Sequence, residues 1–197
     1  MIVGPTDRTV AARMRIHTLD LEFQGVPGVI GSFLVEAGGE LALVDTGPGS
    51  CHSMLLKRLG ELKIRPEDVR KVFVTHIHLD HAGGAGWWAA EHGAQIYCHE
   101  RAAPHLIDPT RLLNSARMIY EDRMDDLWGE TVKAPKEKVI ALGDGESVSL
   151  GDTQLTAWDT PGHARHHHAF VVDKVCFAGD AAGVKLEDSG YISVAAA

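Results

Sequence analysis

The chain has 197 residues, 45% hydrophobic and 23% charged, which is ordinary for a globular domain with a sizeable buried core. A net charge of −8 argues against a nucleic-acid surface, because phosphate binding relies on clustered Lys and Arg. The chain shows neither a basic segment leading into an apolar one at its start nor a run of about 20 apolar residues, so a cytoplasmic protein without a membrane span is expected.

In chain order, residues 14–23 ("MRIHTLDLEF") and 29–36 ("VIGSFLVE") read as strands by composition and partial alternation. Gly38-Gly39 turns the chain into "ELALVD", an apolar strand ending at Asp45. Met54, Leu55, Leu59 and Leu62 then recur at helical spacing, and Pro66 with Glu67 and Asp68 marks a short helical turn. "KVFVT" is a buried strand that delivers His76 at its end. This order predicts a parallel or mixed sheet with a site at the strand ends. "GGAGWWAAEHG" reads as a helix, with Trp87 and Trp88 as core rather than pocket lining, and "AQIYCHE" as the next strand. Residues 101–130 carry helical periodicity and form a helical insertion, after which short strands resume at 138–179. A single domain over 1–197, built as a layered sandwich, is expected.

Three cysteines, Cys51, Cys98 and Cys176, show no C-x-x-C spacing and read as free thiols in a reducing compartment, with Cys176 a small core residue inside "KVCFAGD". Histidine is the outlier at twelve residues. "THIHLDH" places His76, His78, Asp80 and His81 where a strand runs into a loop, so the imidazoles can converge on one ion and the last two residues can face a second. Imidazole and carboxylate donors suit zinc, iron or manganese, and the lack of thiolates argues against a structural zinc site. Gly83 and Gly84 follow and allow close backbone approach. "DTPGHARHHH" presents His163 after a Pro-Gly turn, "CFAGD" ends in Asp180, and "LALVD" ends in Asp45. Each has one layout: apolar strand, turn, ligand-type side chain.

These four motifs, "VDTG", "THIHLDH", "TPGH" and "AGD", occur in the order found in the metallo-β-lactamase-fold hydrolases, which the chain resembles from about residue 28 to residue 183. The resemblance implies an α/β (α+β) chain folded as an αββα sandwich. It implies that His76, His78 and His163 hold one metal, that Asp80 and His81 hold a second, and that Asp180 bridges them. Two divalent ions are expected, zinc first, with iron or manganese as alternatives. A hydroxide bridging the ions would be the nucleophile, and Asp80 would pass its proton to the leaving group. Asp45 resembles a carboxylate that orients ligands rather than binding metal. His167, and equally His166, is a candidate for the same indirect role, whereas His168 reads as solvated. His17, His52, His92, His99 and His105 lie outside the motifs and read as ordinary, with His105 alone suspected of approaching a substrate.

Relatives with two metals carry one more histidine after the bridging aspartate; here no histidine follows His168, and the sequence stops 17 residues past Asp180. The fold is therefore expected to lack its C-terminal portion, through being part of a longer protein (preferred), a true truncation, or completion by another chain. The reading is a metal-dependent hydrolase of a small ester, thioester or lactone. Alternatives are a β-lactamase-type or phosphodiester hydrolase and a non-catalytic metal-binding chain. Expected partners are a small-molecule substrate, with no nucleic acid and no membrane, and self-association as a homo-oligomer stays open.

Overall fold

The computed structural model describes residues 14–182, 184–185 and 192–193. Strands β1 (Arg15–Asp20), β2 (Gly31–Ala37) and β3 (Glu40–Val44) form an antiparallel meander. Helix α1 (His52–Glu61) leads to β4 (Val69–Phe73), and α2 (Leu79–Ala82) and α3 (Ala85–Glu91) lead to β5 (Gln95–His99). Helices α4 (Ala103–Ile107), α5 (Thr110–Tyr120) and α6 (Met124–Trp128) precede β6 (Val139–Leu142). Strands β3 to β6 are parallel, so the first sheet is mixed, in the order β1-β2-β3-β4-β5-β6. The second sheet is antiparallel, in the order β10-β9-β8-β7, from β7 (Ser147–Leu150), β8 (Thr153–Asp159), β9 (His168–Val172) and β10 (Val175–Phe177). A further two-residue pair joins β11 (Val184–Lys185) to β12 (Ile192–Ser193).

Alternation assigns each strand's side chains to one of two cores. Leu43, Val72, Ile96 and Cys98 face the helices with Leu55, Leu59 and Trp88, and all seven are fully buried. Val44, Phe73 and Tyr97 face the second sheet and meet Leu155, Ala157 and Phe170. Phe73 packs edge-on against Phe170 at 5.2 Å between ring centres and stacks on Tyr97 at 5.1 Å. Every described helix buries its apolar side on the first sheet or against α5 and α6. The second helix layer of the expected αββα sandwich is not found among the described residues. None of the described helices is long and apolar enough to cross a membrane.

Two sequence expectations need adjusting. The first strand ends at Asp20 instead of running to residue 23, because the Asp20 carboxylate accepts the backbone N–H groups of Glu22 and Gly28 and closes a loop there. Cys176 is exposed, not core. It lies on edge strand β10 opposite Val171, and the alternation that buries Phe177 turns the preceding residue outward. The three thiols are unpaired, as expected. Trp88 is fully buried core, while Trp87 is half-buried and donates its indole N–H to Glu130 O.

Candidate metal centre

The strand ends converge on one edge of the sandwich. Backbone bonds knit that edge together: Asp45 N–H to Phe73 O (2.8 Å), Val74 N–H to Tyr97 O (2.9 Å), and His168 N–H to Thr75 O (2.8 Å), the last crossing between sheets. Asp45 follows β3 with φ +56°, a left-handed conformation that Asp tolerates better than most residues. One of its oxygens, Oδ1, accepts the Thr75 N–H at 2.8 Å. The other, Oδ2, accepts the Thr75 hydroxyl at 2.8 Å and the His81 Nδ1–H at 2.8 Å. This buried carboxylate thus joins the β4 loop to α2.

Thr75 fixes the neighbouring ring. Its single hydroxyl proton goes to Asp45, so the oxygen accepts from His76 Nδ1 at 3.1 Å, and His76 Nε2 is left with its lone pair. That nitrogen lies 3.0 Å from His78 Nδ1, which lies 2.9 Å from His163 Nε2. Burial, followed by the surrounding imidazoles, pushes the fully buried His76 far below the ordinary histidine pKa; His78 is lowered by burial and then by His163. With those three nitrogens unprotonated, their lone pairs converge on one point, where a cation relieves their repulsion.

The adjoining group has the opposite character. With Nδ1–H committed to Asp45, His81 Nε2 points at Asp180 Oδ1 (3.3 Å) and Asp80 Oδ2 (3.5 Å). Burial opposes charge on His81, but the Asp45 carboxylate and the hydrogen bonds to Asp180 and Asp45 hold its pKa well above the ordinary value. Burial also works against charge on Asp80, yet its contact with His81 leaves its pKa lowered; Asp180 is lowered chiefly by its hydrogen bond to His81. The other oxygen of Asp180 faces His163 Nε2 at 3.4 Å and His76 Nε2 at 3.9 Å. Donor atoms within 4.8 Å of one another therefore form two overlapping groups, His76-His78-His163 and His76-His81-Asp180. Neutral imidazoles with converging lone pairs, next to carboxylates that recruit positive charge, are a donor set that fits divalent cations.

All eight residues singled out from the sequence lie at this edge. His76, His78 and His163 form one group, His76, His81 and Asp180 the overlapping one, Asp80 stands beside His81, and Asp45 and His167 stand behind them. His167 is fully buried, with Nδ1 2.7 Å from the Thr160 hydroxyl and Nε2 accepting the Asp180 N–H at 3.1 Å, so it positions the Asp180 backbone. Burial holds both His166 and His167 at a pKa of about 4. Gly179, not singled out, is a close-approach point: a Cβ there would lie 2.6 Å from His167 Nε2 and 2.9 Å from Thr75 Cβ, and φ is +48°. Thr75 and Thr160 carry no metal-ligand signal of their own, although they stand inside "THIHLDH" and "DTPGHARHHH".

His168 corrects an expectation: it is fully buried, not solvated. It is the first residue of β9, and its Nε2 lies 2.8 Å from Asp159 Oδ1, with the His99 ring 4.6 Å away. His99 Nδ1 accepts the Arg101 N–H, so its Nε2 carries the proton and points at the same carboxylate oxygen, 3.5 Å away. His168 and Asp159 are thus bonded within the second sheet, and His99 of the first sheet faces the same carboxylate, so the trio forms a polar clamp between the sheets. His105 lines a small separate pocket with Ile77, Leu106 and Thr131 and is absent from the lining of the cleft below.

A cleft of about 450 Å³ opens over the centre. His78, Asp80, His163 and Asp180 form its floor, and Leu112, Ala116, Ile119, Tyr120 and Trp128 its wall. A second cleft of about 570 Å³ reaches Asp80, His81 and Asp180 from the side of Ile30, Phe33 and Phe177.

Known proteins are similar to this chain over most of its length. Residues 25–192 match the family described as the metallo-beta-lactamase superfamily. The chain is 33% identical over 162 residues to the exodeoxyribonuclease WalJ of Streptococcus pneumoniae, covering 82% of this chain and 51% of that protein. It is 27% identical over 153 residues to the atrochrysone carboxyl ACP thioesterase of Aspergillus fumigatus, covering 76% of this chain and 38% of that one. The solved structure of a metallo-beta-lactamase family protein from Thermus thermophilus matches with a TM-score of 0.67 at 27% identity, over 89% of this chain and 60% of that one. The chain thus spans about half or less of the length of these two curated relatives. From the loop before β2 to beyond Asp180, the chain belongs to the metallo-beta-lactamase superfamily.

Proposed function

We propose that the chain hydrolyses a small ester, thioester or lactone, with His76, His78 and His163 holding one divalent ion, Asp80 and His81 a second, and Asp180 between them. The observation that carries this reading is the Asp180 carboxylate, whose two oxygens face different histidine groups, Oδ2 toward His163 and His76 and Oδ1 toward His81. Ions bound there, zinc first among candidates, would supply Lewis acidity and make a water acidic enough to attack at neutral pH. Asp80 stands on the cleft floor beside His81, where its carboxylate can take a proton from the attacking water and return it to the leaving group. Asp45 and Thr75 hold the His81 and His76 rings in one tautomer each, so neither ring must reorient during turnover.

The apolar wall of the cleft favours a substrate with an apolar acyl part, and the name of the thioesterase relative agrees with that choice. Phosphodiester hydrolysis is the second reading, favoured by the 33% identity to an exodeoxyribonuclease. The net charge of −8 counts against it, since phosphate backbones are held by basic surfaces. A cytoplasmic setting, where unpaired thiols persist, and a small-molecule partner rather than nucleic acid or membrane complete the proposal.

Metal analysis of the purified chain together with a substrate panel tests it. The expected result is at least about two ions per chain, turnover of acyl thioesters, esters or lactones, and loss of turnover by at least about 100-fold in Asp80→Ala. One ion or none, with no turnover of thioester, lactone, β-lactam or phosphodiester, leaves a non-catalytic metal-binding chain instead.

A further inference from the structure

A second group of metal-type donors lies away from the catalytic edge, among residues whose sequence context gave them no role. His52 opens α1, Glu91 ends α3 and His92 caps it. One donor atom from each of the three lies within 4.8 Å of the other two. Helix α3 begins just after α2, which bears His81, and its seven residues correspond to about 10 Å of rise, so the two groups stand at opposite ends of α3.

The nitrogens are the informative part. Both ring nitrogens of His52 and Nε2 of His92 are buried without a hydrogen-bond partner among the described residues. Buried polar atoms are nearly always paired, so three orphans at one spot need a reason. Glu67 Oε1 lies 3.8 Å from His92 Nδ1, on the side of the ring away from the orphan. A carboxylate there favours the Nδ1–H tautomer and turns the Nε2 lone pair inward, the arrangement that outer carboxylates impose on metal-binding histidines. Stacking accounts for the ring positions, since His52 lies between Trp87 (5.4 Å) and His92 (6.1 Å), but it leaves the nitrogens unpartnered.

We infer that His52, His92 and Glu91 form an additional site for a divalent transition-metal ion, independent of the catalytic centre. Two imidazoles and one carboxylate select zinc, nickel or copper over calcium or magnesium, which prefer all-oxygen shells. Glu91 is exposed, so the ion has a path in and can keep a water as fourth ligand. Bound there, it ties the start of α1 to the end of α3.

Trp87, and Trp88 at 5.0 Å from the His92 ring, supply the readout. Zinc content after saturation and desalting, and quenching of tryptophan fluorescence by nickel, are measured on the full chain and on His92→Gln, His52→Gln and Glu67→Gln. The expected result is one zinc fewer per chain in His92→Gln and His52→Gln than in the unaltered chain. Saturable nickel quenching weakens at least about 100-fold in those two and about 10-fold in Glu67→Gln, which keeps every donor. Hydrolytic activity stays unchanged, which separates this site from the catalytic one. Equal zinc content and equal quenching across the unaltered chain and the variants overturn the proposal and leave the cluster as ring packing. Should the two histidine variants fail to fold, the exposed Glu91→Gln decides: weaker nickel quenching supports the site, and unchanged quenching overturns it.

Discussion

Asp45 holds no place in either donor group, yet three contacts from its carboxylate set the geometry of both. Thr75 N–H and the Thr75 hydroxyl lock the β4 loop, and His81 Nδ1 is held at 2.8 Å. Replacing it with Asn keeps the shape but removes the charge that holds the His81 proton, and one amide position must then present N–H where an oxygen accepted. Zinc affinity at the His81–Asp180 position is expected to fall about 10- to 100-fold in Asp45→Asn, as for other residues that orient metal ligands. Affinity at the His76-His78-His163 group is expected to stay unchanged. Zinc titration by calorimetry reads both; two undisturbed binding events would remove Asp45 from this role. Gly179 adds a packing constraint behind the same centre, because the Thr75 side chain and the His167 ring leave no room for a Cβ there.

At the scale of elements, the layout of strand, turn and donor was legible because it repeats: Asp45 follows β3, His76 lies in the loop after β4, and the segments after β8 and β10 carry His163 and Asp180. Short donor-bearing loops announce themselves by residue type. Burial on a short edge strand does not, since a shift of one position exchanges inside for outside; Cys176, whose apolar surroundings in sequence suggest core, is exposed for that reason. His168 failed for a related reason. It looked like the tail of a histidine loop, whereas it is where β9 begins and already pairs with Asp159. The helical segment was legible as helix and as a substrate-determining insertion, but not which of its residues line the cleft, because α5 carries Leu112, Ala116 and Ile119 toward the site only through its packing on α6 and α2. Ile119 stays 73% exposed, enough apolar surface for an acyl chain to cover. For an acyl thioester series from acetyl to octanoyl, kcat/KM is expected to rise up to about fourfold per methylene, from roughly 0.8 kcal/mol each. Ile119→Asp flattens that rise with little change for acetyl. The same slope in both proteins would show that the chain binds elsewhere.

For the molecule as a whole, the site edge is also where the two sheets are fastened, by His168 N–H to Thr75 O and by the His99-Asp159-His168 clamp. Function and stability therefore share titrating groups. His167 is buried with a pKa of about 4, and His166 matches it, while both return to the ordinary value near 6.5 when the chain unfolds. Between those values the unfolded chain binds more protons than the folded one, so acid favours unfolding. Stability lost this way is fully present above about pH 6.5 and falls as pH drops toward about 4, by up to about 1.4 kcal/mol per pH unit for each such histidine. His76, His78 and His168, also lowered by burial, act in the same direction. His81 acts oppositely but in another window: its raised pKa contributes stability below about 6.5 that is lost only as pH climbs through its folded value. The lowered Asp80 and Asp180 lose their contribution below the ordinary carboxylate range. Urea unfolding of the chelator-treated chain is thus expected to show a midpoint that is highest near neutrality and declines steadily below about pH 6.5. His167→Gln, which keeps a donor for Thr160 and an acceptor for the Asp180 N–H, makes that decline shallower. A midpoint that stays level down to about pH 4.5 would mean that the buried rings accept protons without disturbing the edge that joins the sheets.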